Sequence, residues 1–277
     1  MHASSNRVPR FLKCYILIGR IFYAYHNIVR KLTSLPLGSK VMVKEPRTCI
    51  ILAGGLGTRL RTVVTDLPKC LAPIGGRPFL AIQIAQLKQA GINDVVLSLG
   101  HLADKVIHEI TQGHLGEDVR FVVENHALGT GGAIRYAMNT LGLDEVLVVN
   151  GDTYIEGDLD PMLTSLNREA RELFRMALVS VNDRQRFGSV EINDTGYVGG
   201  ILEKGQEGPG LINGGLYRLC SAVFDKYPTG SFSLEADLLP LLVARGCVSG
   251  YCIAGQFIDI GVPEDYMRFC DRHGISG

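Results

Sequence analysis

Cys49-Ile50-Ile51-Leu52-Ala53-Gly54-Gly55-Leu56-Gly57-Thr58-Arg59-Leu60 is the stretch on which the fold turns. Cys49–Ala53 is a short unbroken apolar run. Followed at once by glycines, it reads as a strand covered on both faces, of the kind found in parallel sheets. The glycines let the chain turn tightly and bring backbone N–H groups close to an anion. Arg59 adds a planar guanidinium that can grip two phosphate oxygens at once. The loop is not a Walker A element, because no Gly-Lys-Ser/Thr follows, and it is a poor dinucleotide fingerprint, because Leu60 stands where a third small residue belongs.

Outward from this strand, apolar runs alternate with helical periodicity. The spacing predicts helices at Phe79–Ala90, His101–Ile110, Thr130–Leu141 and Asp160–Phe174, and strands at Asp94–Gly100, Val119–Val123, Glu145–Val149 and Met176–Val181. Such alternation gives an α/β fold: a Rossmann-like, mostly parallel sheet with helices on both faces. After Asn182 the pattern changes to an elaborated second half. Phe187–Ile192 and Gly196–Glu203 flank Asn193-Asp194 as a hairpin, and Leu211–Leu219 and Val248–Ile253 read as further strands. Ser233–Val243, with Ser231 or Ser233 as N-cap, and Pro263–Arg272, with Pro263 in its first turn, read as helices.

Composition narrows the function. The chain has 277 residues and zero formal net charge. Residues 1–45 carry eight Lys/Arg against one Asp/Glu, leaving 20 basic against 27 acidic residues in the remainder. An acidic body has no global field for nucleic acid, so a bound polyanion must be held by a few placed cations or a metal. The seven Cys, at 14, 49, 70, 220, 247, 252 and 270, include no CxxC pair, which argues against a disulfide framework or zinc site and for a reducing, cytoplasmic setting. The apolar run Phe11–Tyr25 is broken by Lys13 and Arg20 and is too short and charged to span a bilayer. Residues 1–45 are expected to be a basic extension, disordered or not native, and 46–277 the working domain.

A second element follows the glycine loop: Asp66-Leu67-Pro68-Lys69-Cys70-Leu71-Ala72-Pro73. Prolines stiffen the segment, so Lys69 can be aimed with little entropy loss. Gly-Gly-x-Gly-Thr-Arg-Leu, with Pro-Lys placing Lys69 ten residues after Arg59, resembles the signature of the sugar-phosphate nucleotidyltransferase family. The resemblance runs from about Arg47 to Tyr266. It implies an enzyme that joins a nucleoside triphosphate to a sugar 1-phosphate and releases pyrophosphate. It also implies that Leu52, Gly54, Gly55, Gly57 and Thr58 cradle the nucleotide while Arg59 and Lys69 neutralise its phosphates. The family commonly has Pro where Cys70 stands.

Two aspartates complete the expectation. Asp152 follows the strand ending at Val149, on the rim where open α/β sheets bind ligands. Asp259 lies within the apolar run Phe257–Val262, where a lone charge needs a partner. By resemblance Asp152 is catalytic and shares a Mg²⁺ ion with Asp259, a hard cation suited to carboxylates and phosphates. The segment Glu124–Gly132 resembles the family's base-binding turn, with Glu124, Gly129 and Thr130 on the nucleotide. A carboxylate accepts two adjacent donors from guanine but one from uracil, which favours GTP. Gly188, Glu203, Lys204 and Asn213 match the acceptor side, for the sugar 1-phosphate. Leu211–Tyr217, Ser231–Glu235 and Phe257–Tyr266 most resemble the D-glycero-α-D-manno-heptose 1-phosphate guanylyltransferase subgroup. Alternatives that keep the chemistry are a mannose 1-phosphate guanylyltransferase, or a uridylyltransferase for N-acetylmuramic acid or glucose 1-phosphate. A catalytically silent sensor subunit would keep only the fold.

Overall fold

The elements follow one another as β1 (Thr48–Leu52), β2 (Pro73–Ile74), β3 (Arg77–Pro78), α1 (Phe79–Gln89), β4 (Asp94–Leu99), α2 (Ala103–Thr111), β5 (Val119–Val123), α3 (Gly129–Leu141), β6 (Glu145–Asn150), β7 (Thr153–Ile155) and α4 (Asp160–Leu163). The second half supplies β8 (Phe174–Val181), β9 (Ser189–Ile192), β10 (Val198–Leu202), β11 (Gly210–Cys220), α5 (Leu239–Ala244), β12 (Val248–Ile253), β13 (Phe257–Asp259) and α6 (Pro263–His273). The structure, a computed structural model, describes residues 48–55, 60, 64, 67–116 and 118–273, all within the unit Pro46–Gly277.

β1 sits at the centre of a parallel run ordered β6-β1-β4-β5. The chain moves from β1 to β4 to β5 in one direction, then returns to place β6 on the other side of β1. That reversal makes the gap beyond the ends of β1 and β6 the switch point where such sheets bind ligands. β11 extends the run antiparallel to β6, and β9, β10, β8 and β12 build outward from β11. The sheet has nine strands among the described residues.

Alternation along the strands explains the two covered faces. Ile50, Val96 and Val148 pack with Ile134, Ala137 and Met138 of α3. Their neighbours Cys49, Ile51, Val95 and Leu97 pack on the opposite face with Leu80, Ile84 and Leu87 of α1 and Val106 of α2. Each Val, Leu, Ile or Met side chain among them contributes about 1.5–3 kcal/mol on burial. A third cluster, with Leu60, Ala72, Ile74, Phe79, Ile258, Ile260 and Phe269, ties α6 and β13 to the segment after Lys69. Among the described residues no helix is long and apolar enough to cross a membrane.

Most expected elements form within a residue or two. The helix expected at Asp160–Phe174 does not. Only Asp160–Leu163 is helical, Arg171 takes a left-handed φ of 61°, and Phe174 already begins β8. Arg175 explains the difference. Its Nη1 donates to the carbonyls of Pro161 (2.6 Å) and Thr164 (3.0 Å), which a continuing helix would bond to its own N–H groups. Glu172, only 4% exposed, accepts from Asn167 N at 2.6 Å and from Arg175 Nε at 2.7 Å. The expected helix Ser233–Val243 divides into a π-turn, Leu234–Leu238, and α5, because Pro240 has no N–H to give the ladder. Ser233 is the N-cap, its Oγ accepting from Ala236 N at 3.1 Å. The hairpin expected at Asn193-Asp194 forms between β9 and β10, with Asn193 N donating to Tyr197 O.

Candidate active site

The ends of β1, β4, β5 and β6 and the start of α3 enclose a cleft of about 480 Å³ at the switch point. Leu52, Gly54 and Gly55 form one wall, Asn150, Gly151 and Asp152 another, with Lys69 beside them and Glu124, Gly129 and Thr130 across. Sequence reasoning had singled out eight of these ten, from four separated stretches. Gly57, Thr58 and Arg59, named with them, lie outside the described residues.

Asp152 and Asp259 are brought together by the two-stranded ladder β7–β13, in which Asp259 pairs with Thr153 and Ile260 N donates to Asp152 O at 2.9 Å. The Lys69 ammonium stands between the two carboxylates. It forms a short ion pair with Asp152 Oδ2 and lies 3.7 Å from Asp259 Oδ1. All three side chains are largely buried, which strengthens their mutual attraction. Gly261 makes this possible: a methyl group there would overlap the ammonium and lie 2.7 Å from Asp259 Oδ1. Gly261 was not among the expected site residues; its place two residues after Asp259 was the available signal.

Glu124 is half-buried at the cleft wall. Burial pushes its carboxyl above the ordinary value, outweighing the Leu128 N–H that donates to it at 3.2 Å and the nearby His126. Gly129 is expected on the nucleotide, and the structure supplies a separate reason for a glycine there. It has φ +70°, and a Cβ there would stand 2.5 Å from Phe232 O. The strap at Phe232 crosses the start of α3, where Gly131 N donates to the same carbonyl at 3.1 Å. The Thr130 hydroxyl is also committed to the strap, donating to Glu235 Oε2 (2.7 Å) and accepting from Leu234 N (2.8 Å).

The four residues expected on the acceptor side gather at one end of β9–β10–β11. Ser189, next to Gly188, pairs with both Leu202 and Ile212, the neighbours of Glu203 and Asn213. Glu203 and Lys204 are exposed there and do not line the cleft. Asn213 reaches the cleft indirectly. Its Nδ2 donates to the buried Tyr217 hydroxyl (2.8 Å), which donates to Glu235 Oε1 (3.4 Å). Burial, with Glu235 alongside, holds the Tyr217 hydroxyl well above its ordinary pKa, so it remains a donor. Glu235 also lines the cleft, a role its place in the sequence does not signal. Cys70 also lines the cleft, but burial pushes its thiol up to about 12, so it is no nucleophile at neutral pH.

Residues 48–272 match the Nucleotidyl transferase family. The chain belongs to that family. A D-glycero-alpha-D-manno-heptose 1-phosphate guanylyltransferase of Campylobacter jejuni is 36% identical to this nucleotidyl transferase over 224 residues, covering 79% of this chain and 97% of that protein. A mannose-1-phosphate guanylyltransferase of Mycobacterium tuberculosis is also 36% identical over 224 residues, but the match covers 62% of its length. The crystal structure of HddC from Yersinia pseudotuberculosis complexed with GMP-PN superposes with a TM-score of 0.73 at 37% identity, over 82% of this chain and 99% of that one. The mixed sheet of this chain, a parallel run with helices on both faces, is thus the nucleotidyl transferase fold.

Members of the family generally work with a divalent metal. The residues present fit one: Asp152 and Asp259 point hard oxygens at one point that already holds a cationic ammonium. Among the described residues no group of three or more His, Cys, Asp and Glu could hold a metal ion.

Proposed function

We propose that the chain transfers GMP from GTP to a sugar 1-phosphate, best D-glycero-α-D-manno-heptose 1-phosphate, giving GDP-sugar and pyrophosphate in the cytoplasm. The observation that carries this reading is Lys69 held between Asp152 and Asp259 at the mouth of a glycine-walled cleft. The guanylyltransferase relatives, which match over nearly the whole heptose enzyme, support the choice of base and sugar. Mg²⁺ would be held by Asp152 and Asp259 and would supply charge neutralisation on the phosphates.

In this reading the protein needs no nucleophile of its own. A phosphate oxygen of the sugar 1-phosphate attacks the α-phosphorus of GTP, the bond to the β-phosphate oxygen breaks, and pyrophosphate leaves. Lys69 turns from the carboxylates to the phosphates as they arrive, and Arg59 grips the triphosphate. Catalysis is then positioning and charge stabilisation. Glu124 accepts the two donors of guanine. Lys204 takes the sugar phosphate, and Glu203 and the Asn213–Tyr217–Glu235 chain present acceptors to hydroxyls, with Gly188 leaving room for the ring.

Pyrophosphate release from a matrix of GTP, UTP, ATP and CTP against heptose, mannose, glucose and N-acetylmuramic acid 1-phosphates tests the reading. Release is expected with GTP and a manno-configured acceptor. Preference for UTP would replace it with the uridylyltransferase reading, and no release from any pair would replace it with a silent subunit.

A further inference from the structure

Gln83 lies on the inward face of α1 and is only 1% exposed. Its neighbours on that face are Leu80, Ile84 and Leu87, so packing alone does not account for an amide there. Burying an amide is costly unless its polar atoms are bonded. The two hydrogens of Nε2 are both used, donating to Asn150 O at 2.9 Å and Thr153 O at 2.7 Å. Those two carbonyls bracket the turn that carries Asp152. Oε1 is buried and has no partner among the described residues, so the position bears a cost to keep its donors.

The other end of α1 is tied to Lys69. Ala72 N donates to Lys69 O (3.1 Å), and Phe79 N donates to Ala72 O (2.9 Å). One turn beyond Gln83, Gln86 Nε2 donates to Ile155 O at 2.5 Å. A short rigid helix thus spans from the lysine segment to the aspartate turn and is fastened at both.

We propose that Gln83 is a positioning residue for the reaction: by holding both sides of the Asn150–Thr153 turn it sets where Asp152 stands relative to Lys69. The inference rests on the function proposed above. Met has nearly the same volume as Gln and no donor, so Q83M separates the hydrogen bonds from the packing. Ile84→Val, on the same helix face, trims packing and leaves the bonds alone.

The test reads steady-state kinetics and amide hydrogen exchange of the 150–155 segment on the full chain. Q83M should lose about 10–100-fold in kcat, the scale of a small misplacement of a reacting group. Its KM for GTP should stay within about three-fold, because Gln83 bonds neither the Leu52–Gly55 wall nor Glu124, Gly129 and Thr130. Exchange in 150–155 should rise at least about ten-fold over wild type, with β4 unaffected. I84V should change neither. A Q83M enzyme with kcat and exchange near wild type, or an I84V enzyme with the same losses, would overturn the proposal. A wild type that releases no pyrophosphate refutes the function instead, and the exchange comparison still decides whether Gln83 holds the turn. Should Q83M fold poorly, Q83A, whose smaller side chain admits water to both carbonyls, is read in the same two assays.

Discussion

Lys69 faces two carboxylates, and the proposed reaction requires it to face phosphates instead. Its charge decides the rate in the proposed mechanism, so Lys69→Ala should lower kcat by roughly 10²–10³, measured as pyrophosphate release. Gly261→Ala should have a similar sign without removing any charge, because the added methyl would overlap the ammonium. We expect a loss of about ten-fold or more in kcat with the fold intact by circular dichroism. Glu124 gives a pH dependence. Burial raises its pKa, so it protonates at a higher pH than an ordinary carboxylate and then loses acceptor capacity toward guanine. The KM for GTP should therefore rise as pH falls, with a midpoint above the usual carboxylate value, and E124Q should abolish that dependence. Lys69, Asp152 and Asp259 were readable because each broke a local pattern: a lysine among prolines, and a charge after or inside an apolar run. Glu235 and Gln83 were not, because their roles depend on partners more than 60 residues away in the chain, Thr130 for one and Asn150 and Thr153 for the other.

At the scale of elements, the segment 160–174 shows where periodicity misleads. Its apolar spacing suits a helix, yet Arg175 and Glu172 hold it as a loop through bonds to backbone groups and to each other. Removing one partner of such a buried pair leaves the other uncompensated. Glu172→Ala should cost about 3 kcal/mol or more of stability by urea denaturation while leaving the KM values unchanged, since the pair is remote from the cleft lining. Its pKa shift runs opposite to that of Glu124. Burial alone would raise the Glu172 pKa, but bonds from Arg175, Asn167 and Ser249 outweigh it and hold it below the ordinary value. Its contribution is present above the unfolded pKa and is lost as pH falls through the folded one. The central strands were legible because unbroken apolar runs, Cys49–Ala53, Val95–Leu97 and Val146–Val149, lie at their centres. β7 and β13 are three residues each, too short to declare themselves before their pairing is seen.

For the molecule as a whole, the sheet order places the cleft and the family match spans 48–272. We expect a chain starting at Met42 to keep kcat and KM within about two-fold of the full chain, as the same assay would show, because every described residue of the cleft lies within Pro46–Gly277. A large loss on truncation would mean that residues 1–45 contribute to the working unit. The parallel run was legible from alternation, because each strand carries its own apolar signature; the strand order that creates the switch point was not. The way β8 to β12 join around β11 was not, since pairing partners and register are properties of the assembled sheet.

The β7–β13 ladder also separates two tasks along the chain. All nine strands of the main sheet are complete by Ile253, and Asp259 lies beyond them. On the function proposed here, a chain cut after Ile253 would keep every strand that frames the nucleotide cleft but only one of the two carboxylates, so recognition of GTP and its turnover would be divided between two parts of the sequence.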